Sequence, residues 1–274
     1  MRILDSHTHI FPDRIAPAAV RATEEFYSDI RTEEAVPPPA SERGSGTVAD
    51  LLARCARAGV TGAVVFSAAT LPRQVESIND FIAASCREHP ELIGVGTMHA
   101  GYPDMDKETE RMKALGLRGV KIHPDIQGFD LDDERLLPFY DRLRGEGMFV
   151  IAHTGDRRYD RSAPRRLARV ARLFPELRLV GAHFGGWSQW EEARECLAGL
   201  PNVYVDTSST LNYGNREAAV KGFAAFDPTH VFFGSDYPMG DPGAELERLR
   251  ALGLGEELLR GVLGENLARF LGEA

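Results

Sequence analysis

The chain has 274 residues, a length that a single α/β barrel of about 250 residues nearly exhausts. Its 43% hydrophobic and 27% charged residues are ordinary globular proportions, which exclude disorder, collagen and coiled coil as descriptions of the whole. Against 32 basic residues stand 41 acidic ones, and the formal charge of −9 opposes the electrostatic attraction that drives nucleic-acid and anionic-membrane binding, leaving a small molecule as the expected partner.

In chain order, the first predicted strand is Arg2 to His7, inside MRILDSHTH, a start without the apolar core of a signal peptide. With no apolar run long enough to span a bilayer, the expected compartment is the cytoplasm. Period-two alternation puts Asp5, His7 and His9 on one face, pointing into the barrel if Leu4 faces the helices. Residues Ile10 to Thr47, with the polar, proline-rich VPPPASERGSG, show no periodicity and are expected to run over the barrel mouth as a lid or a dimer contact. Further strands are expected at Thr61 to Phe66, Leu92 to Thr97, Arg118 to Ile122, Phe149 to His153, Arg178 to His183, Val203 to Thr207 and Val231 to Ser235. Between them, apolar residues three or four apart mark helices over Val48 to Ala58, Gln74 to Glu88, Lys107 to Leu115, Asp133 to Gly145, Pro164 to Leu173, Ser188 to Leu197 and Arg216 to Phe226. Eight strands alternating with helices predict an α/β fold, a (β/α)8 TIM barrel filling residues 1–274 as one domain. Cys55, Cys86 and Cys196 are too widely spaced for a metal or redox pair and read as small packed residues on helices.

His7, His9, His153, His183 and Asp236 all fall at the C-terminal ends of predicted strands, the end at which barrels carry active sites. Imidazoles and a carboxylate converging there can bind a divalent ion. Lys121 and His123 share the inward face of the fourth strand. For Lys121 the readings are a substrate anion contact, a carboxylated bridge between two metals, or pairing with Asp5 or Asp206; for His123, a site residue or a polar loop residue before Pro124. His89, His99 and His230 read as capping or solvated residues.

With these residues in place, the sequence resembles the amidohydrolase-2 branch of the amidohydrolase superfamily, which includes aminocarboxymuconate-semialdehyde decarboxylase. The resemblance runs from HTH at 7 to 9 through GVKIHP, AHTG, AHFGG and FGSDYP to the final LGENLARFL. It implies a metal held by His7, His9, His153 and Asp236, with His183 as acid/base or electrostatic group, or as a second-metal ligand beside Lys121 and His123. No TatD-type glutamate is apparent near the fourth strand, which favours one ion. Zinc is the first expectation, with manganese, cobalt or iron also compatible with N/O ligands.

A metal-activated water, with Asp236 taking its proton and His183 meeting the oxyanion, would hydrolyse a small, anionic amide, ester or lactone. Non-oxidative decarboxylation of an unsaturated or aromatic carboxylate is the alternative, and a silent binding barrel is disfavoured by the intact ligands. Arg157 and Arg158, or an arginine of the first long loop such as Arg14, are candidates to bind an anionic group, and Trp187, Trp190, Tyr213 and Tyr237 to wall a planar substrate; the competing readings are solvated surface charges and loop packing. The family also makes a homodimer an expectation.

Overall fold

The computed structural model describes residues 2–28, 39–213 and 216–273. The start of the VPPPASERGSG stretch, residues 36–38, lies outside them. Strands are β1 (Leu4–His9), β2 (Gly62–Phe66), β3 (Leu92–Gly94), β4 (Gly96–Thr97), β5 (Gly119–Ile122), β6 (Phe149–Ala152), β7 (Leu179–Gly181), β8 (Val203–Asp206) and β9 (Val231–Phe232). Helices are α1 (Ala16–Tyr27), α2 (Val48–Ala58), α3 (Val75–Glu88), α4 (Met105–Ala114), α5 (Pro124–Gln127), α6 (Leu137–Gly145), α7 (Pro164–Leu173), α8 (Trp190–Leu197), α9 (Arg216–Ala225), α10 (Pro242–Arg250), α11 (Glu256–Arg260) and α12 (Asn266–Leu271). None of the described helices is long and apolar enough to cross a membrane.

All strand pairs are parallel, in the orders β1-β2-β3 and β4 through β9. β3 and β4 are two halves of the expected Leu92 to Thr97 strand, and Val95 between them still donates its N–H to Val65 at 3.0 Å. The last strand meets the first through Ser6 N–H to the Phe233 carbonyl at 2.8 Å, Asp236 N–H to His7 at 3.0 Å and His9 N–H to Tyr237 at 2.7 Å. This is a (β/α)8 barrel.

Alternation sorts the apolar residues into two layers. Val64, Phe66, Phe149, Ile151, Val180 and Phe232 cluster with Leu267, Phe270 and Leu271 of α12, and so fill the barrel interior. Their neighbours Ala63, Val65, Val150, Ala152, Leu179 and Val231 belong to the larger cluster beneath the helices.

Leu4 sits in the interior set, which corrects the expectation that it faces the helices. Strict alternation from an inward Leu4 would turn His7 outward. Instead the pairing with β2 advances from Asp5 opposite Ala63 to Thr8 opposite Val65, one extra residue on β1. Such a bulge re-aims the residues after it. It brings His7 and His9 against the interior ring of Phe66, at 5.0 and 4.8 Å between ring centroids. Asp5 does not join them; its Oδ1 accepts the N–H groups of His7 and Ser235 at 3.1 and 3.0 Å and so holds the bulge.

The second difference lies in the long excursion after β1, where the sequence shows no helical pattern. Residues Ala16–Tyr27 form α1. Its inner stripe of Ile15, Ala19, Ala22 and Phe26 lies along the cavity at the barrel mouth. Half of that stripe is alanine, too weakly apolar to register as amphipathic.

Candidate active site

His7 and His9 come from β1, and Asp236 stands four residues beyond the end of β9. A donor atom from each lies within 4.8 Å of the other two. His7 Nε2 and His9 Nε2 stand 3.3 and 3.6 Å from Asp236 Oδ1. Two donors each about 2.1 Å from a tetrahedral ion would be roughly 3.4 Å apart, so this triplet fits a divalent metal. The Asp206 carboxylate lies 2.8 Å from His7 Nδ1. It fixes that nitrogen as the donor and leaves Nε2 as the acceptor. Lys121 donates to the same Nε2 at 3.1 Å and lies over Phe66, 4.7 Å from its centroid.

A hydrogen-bonded chain continues from Asp206. Its Oδ1 accepts from Ser208 Oγ and from the backbone N–H of His183, the latter at 3.0 Å. His183 Nδ1 faces the Ser208 carbonyl at 3.0 Å, and its Nε2 meets His153 Nδ1 at 3.0 Å. His153 is therefore linked to the triplet at a distance, through His183 and then Asp206. Its nearer group is His123 and Asp125, a second set of candidate donors. The His123 and His153 rings stack at 3.9 Å with 8° between their planes, which sets their nitrogens side by side; the tilted His7 and His9 rings, at 48°, can converge.

The electrostatics separate acids from bases. Burial first, then neighbouring imidazoles and Lys121, hold His9, His123 and His153 well below the usual imidazole value. Burial lowers His183 to about 4 despite the opposing charge of Asp236. Burial pushes the Asp236 carboxyl up, but His7, His183, the Ser209 hydroxyl and Lys121 outweigh it and keep the group ionised. Lys121 is lowered by burial to about 8, partly offset by Asp206 and Asp236.

These groups form one end of a cavity of about 480 Å3. His7, His9, His123, His153, His183 and Asp236 line it, as does Trp187. Lys121 lies buried behind His7 and is not part of the lining. Two sequence expectations are corrected. Tyr237 points away: its hydroxyl accepts from Gly46 N–H at 3.0 Å and lies 3.0 Å from Asp50, beneath the excursion after β1. Arg157 is exposed and outside the lining. Arg158 turns inward instead, pairing with Asp156 at 2.8 Å and donating to the Phe26 carbonyl at 2.7 Å. No arginine or lysine lines the cavity among the described residues.

Asp206 as the partner of His7, together with Ser208, Ser209, Asp125 and Tyr27, escaped the sequence reading. Asp206 is the last but one residue of the predicted Val203 to Thr207 strand, close to the placement that singled out the histidines. Tyr27 lies one turn beyond Thr23 on α1 and could be found only once that helix was recognised.

A model of the amidohydrolase family matches residues 4–272, and the chain belongs to this family. Solved structures agree on the fold. An uncharacterized TIM-barrel protein from Bordetella bronchiseptica is 22% identical with a TM-score of 0.78, over 100% of this chain and 99% of that one. A putative 2-pyrone-4,6-dicarboxylic acid hydrolase from Pseudomonas putida is 20% identical with a TM-score of 0.69, over 99% and 98%. A 5-carboxyvanillate decarboxylase from Novosphingobium aromaticivorans, solved with bound manganese and a nitrobenzoic acid, is 15% identical with a TM-score of 0.71, over 99% and 97%. Both hydrolytic and decarboxylating enzymes thus share this barrel.

Proposed function

We propose that the protein is a metal-dependent hydrolase of small esters, lactones or amides that carry an apolar ring. The observation that carries this reading is the ionised Asp236 carboxylate, within 3.6 Å of both His7 and His9 Nε2, at the end of a cavity walled by Phe26, Trp187, Phe81 and Ile126. His7, His9 and Asp236 would hold a divalent ion; His153 belongs to the neighbouring group with His123 and Asp125. When bound, the ion supplies a water acidified to near neutral pH.

The chain's own groups do the rest. Asp236 is poised as the base that takes a proton, and Ser209 holds its second oxygen in place. His183, neutral at working pH and fixed by Ser208 and His153, orients its ring without adding charge. The apolar walls exclude bulk water and strengthen each of these contacts. An anionic substrate, expected from the sequence, finds no cationic side chain in the described lining, so a neutral ring-bearing substrate fits better.

Decarboxylation is the second reading, favoured by the same apolar wall, which would desolvate a ring carboxylate. A panel of aryl acetates, aryl lactones, anilides and arylcarboxylates, followed by product analysis and carbon dioxide release, separates the two. Hydrolysis is expected to vanish on dialysis against a chelator, to return with zinc or manganese, and to fall at least about a hundredfold in kcat/KM for Asp236→Asn. Full activity in Asp236→Asn would sink the assignment, and carbon dioxide as the sole product would put the second reading first.

A further inference from the structure

One polar side chain of the cavity lining is supplied by α1 and reaches the histidines of the barrel. Tyr27, the last residue of α1, reaches across the site so that its hydroxyl lies 2.8 Å from His123 Nε2. Its ring packs edge-on against Trp187, with centroids 5.2 Å apart, and lies 6.2 Å from the ring of His153. The placement is built. Arg158 donates to the Phe26 carbonyl at 2.7 Å while its guanidinium covers the rings of Phe26 and Tyr27 at 4.9 and 5.6 Å. Asp156, buried, locks that guanidinium with a contact at 2.8 Å. A cation shared between two aromatic faces and a carboxylate holds α1 against the loop that follows His153.

The pair Tyr27 and His123 holds more protons than it can use. A phenol is both donor and acceptor, and a neutral imidazole has one N–H. His123 Nδ1 is buried without a partner among the described residues, so the tautomer with its hydrogen on Nε2 avoids an orphaned N–H; Nε2–H then donates to the phenol oxygen and leaves the phenol hydrogen to the cavity.

We propose that Tyr27 is a substrate-positioning residue whose hydroxyl donates to a neutral oxygen acceptor, a carbonyl or ring oxygen, of a ring-bearing ligand. α1 thereby selects oxygenated rings over hydrocarbons and adds a phenol to the hydroxyls of Ser67, Ser209 and Tyr213 in the lining. The inference rests on the cavity being the substrate site, as proposed above, but not on the reaction carried out there.

The test uses binding without turnover. Phenylacetone and isobutylbenzene have nearly the same shape, and only the first carries a carbonyl. Their dissociation constants for the metal-loaded full chain can be read from tryptophan fluorescence, since one of the two tryptophans, Trp187, packs against Tyr27. A neutral hydrogen bond of ordinary strength predicts about a tenfold preference for the ketone. In Tyr27→Phe that preference is expected to collapse towards one while isobutylbenzene binds as before, the unchanged hydrocarbon affinity reporting an intact cavity. With an ester from the panel that turns over, the same variant is expected to raise KM several-fold with little change in kcat. Absence of any ketone preference, its survival in Tyr27→Phe, or equal weakening of both probes would overturn the proposal. Discrimination that depends on Tyr27 in a protein without hydrolytic activity would instead leave this inference standing and remove the hydrolase reading.

Discussion

Whether a buried carboxylate in this protein keeps its proton depends on how many cationic or hydrogen-bonding partners it has to itself. Burial acts on Asp206 as strongly as on any group, yet His7, His183 and Ser208 together hold it far below the usual carboxylate value. Glu245 on α10 is the opposite case. It is buried, its Oε2 has no partner among the described residues, and its one cation, Arg248 at 2.5 Å, is shared with Glu42 at 2.6 Å. Two carboxylates facing one guanidinium cannot both ionise cheaply. Burial, only partly offset by Arg248, raises Glu245 to about 8. The folded chain thus keeps a proton that the unfolded chain releases above about 4.5. Stability then falls as pH rises between those two values, by no more than roughly 1.4 kcal/mol per pH unit. Glu245→Gln retains an acceptor for Arg248 and removes the titration. Urea unfolding at pH 6, 7 and 8 is expected to show the variant gaining on the parent at each step; parallel curves would mean that Glu245 is ionised in the fold throughout.

At the scale of elements, the site depends on backbone that departs from regularity where the strands end. His183, Ser209 and Asp236 all have left-handed φ values, 61°, 45° and 60°, and all three line the cavity. Each such residue costs on the order of 1–3 kcal/mol. Around them, Asp206 accepts from His183 and Phe184, and the His7 carbonyl accepts from Asp236. The loop after His153 is held the same way: Gly155, at φ +83°, lies so close to the next loop that a Cβ would stand 2.5 Å from the Gly186 carbonyl carbon and 2.6 Å from Trp187 backbone. Gly116, at φ +82°, faces open space. Gly116→Ala should therefore cost about 1 kcal/mol and Gly155→Ala clearly more, with a Tm lower by several degrees than that of the Gly116 variant. Equal losses in calorimetry would show that the two loops can part without penalty. The same geometry explains what sequence could reveal. Period two holds inside strands, so the histidines at strand ends, the interior Lys121 and the barrel itself were legible. It fails at the bulge of β1, which reversed the face of Leu4, and beyond Asp236, whose left-handed turn sends Tyr237 under the excursion after β1. It is silent in the loop after His153, where of the two candidate arginines only Arg158 turns inward, and an alanine-rich stripe hid α1 together with Tyr27.

At the scale of the whole molecule, charge and cavity point to the same class of ligand. The chain carries a formal −9, and arginines such as Arg166 are engaged by carboxylates, here Asp130, Asp132 and Asp160. The mean field therefore repels an anion on approach, and the described lining holds no arginine or lysine to reverse that at short range. Only an ion at His7, His9 and Asp236 could do so, at the far end of an apolar cavity. Phenyl acetate and 4-acetoxybenzoate have the same reacting bond and differ by one carboxylate on the ring. If the hydrolase reading holds, the neutral ester is expected to have the higher kcat/KM by about tenfold at low ionic strength. The gap should narrow as salt shortens the Debye length from about 30 Å at 0.01 M to about 8 Å at 0.15 M, because part of the penalty is long-range repulsion. A preference for 4-acetoxybenzoate at both salt concentrations would mean that the carboxylate is bound at close range, which the neutral-substrate reading does not allow and which decarboxylation would require.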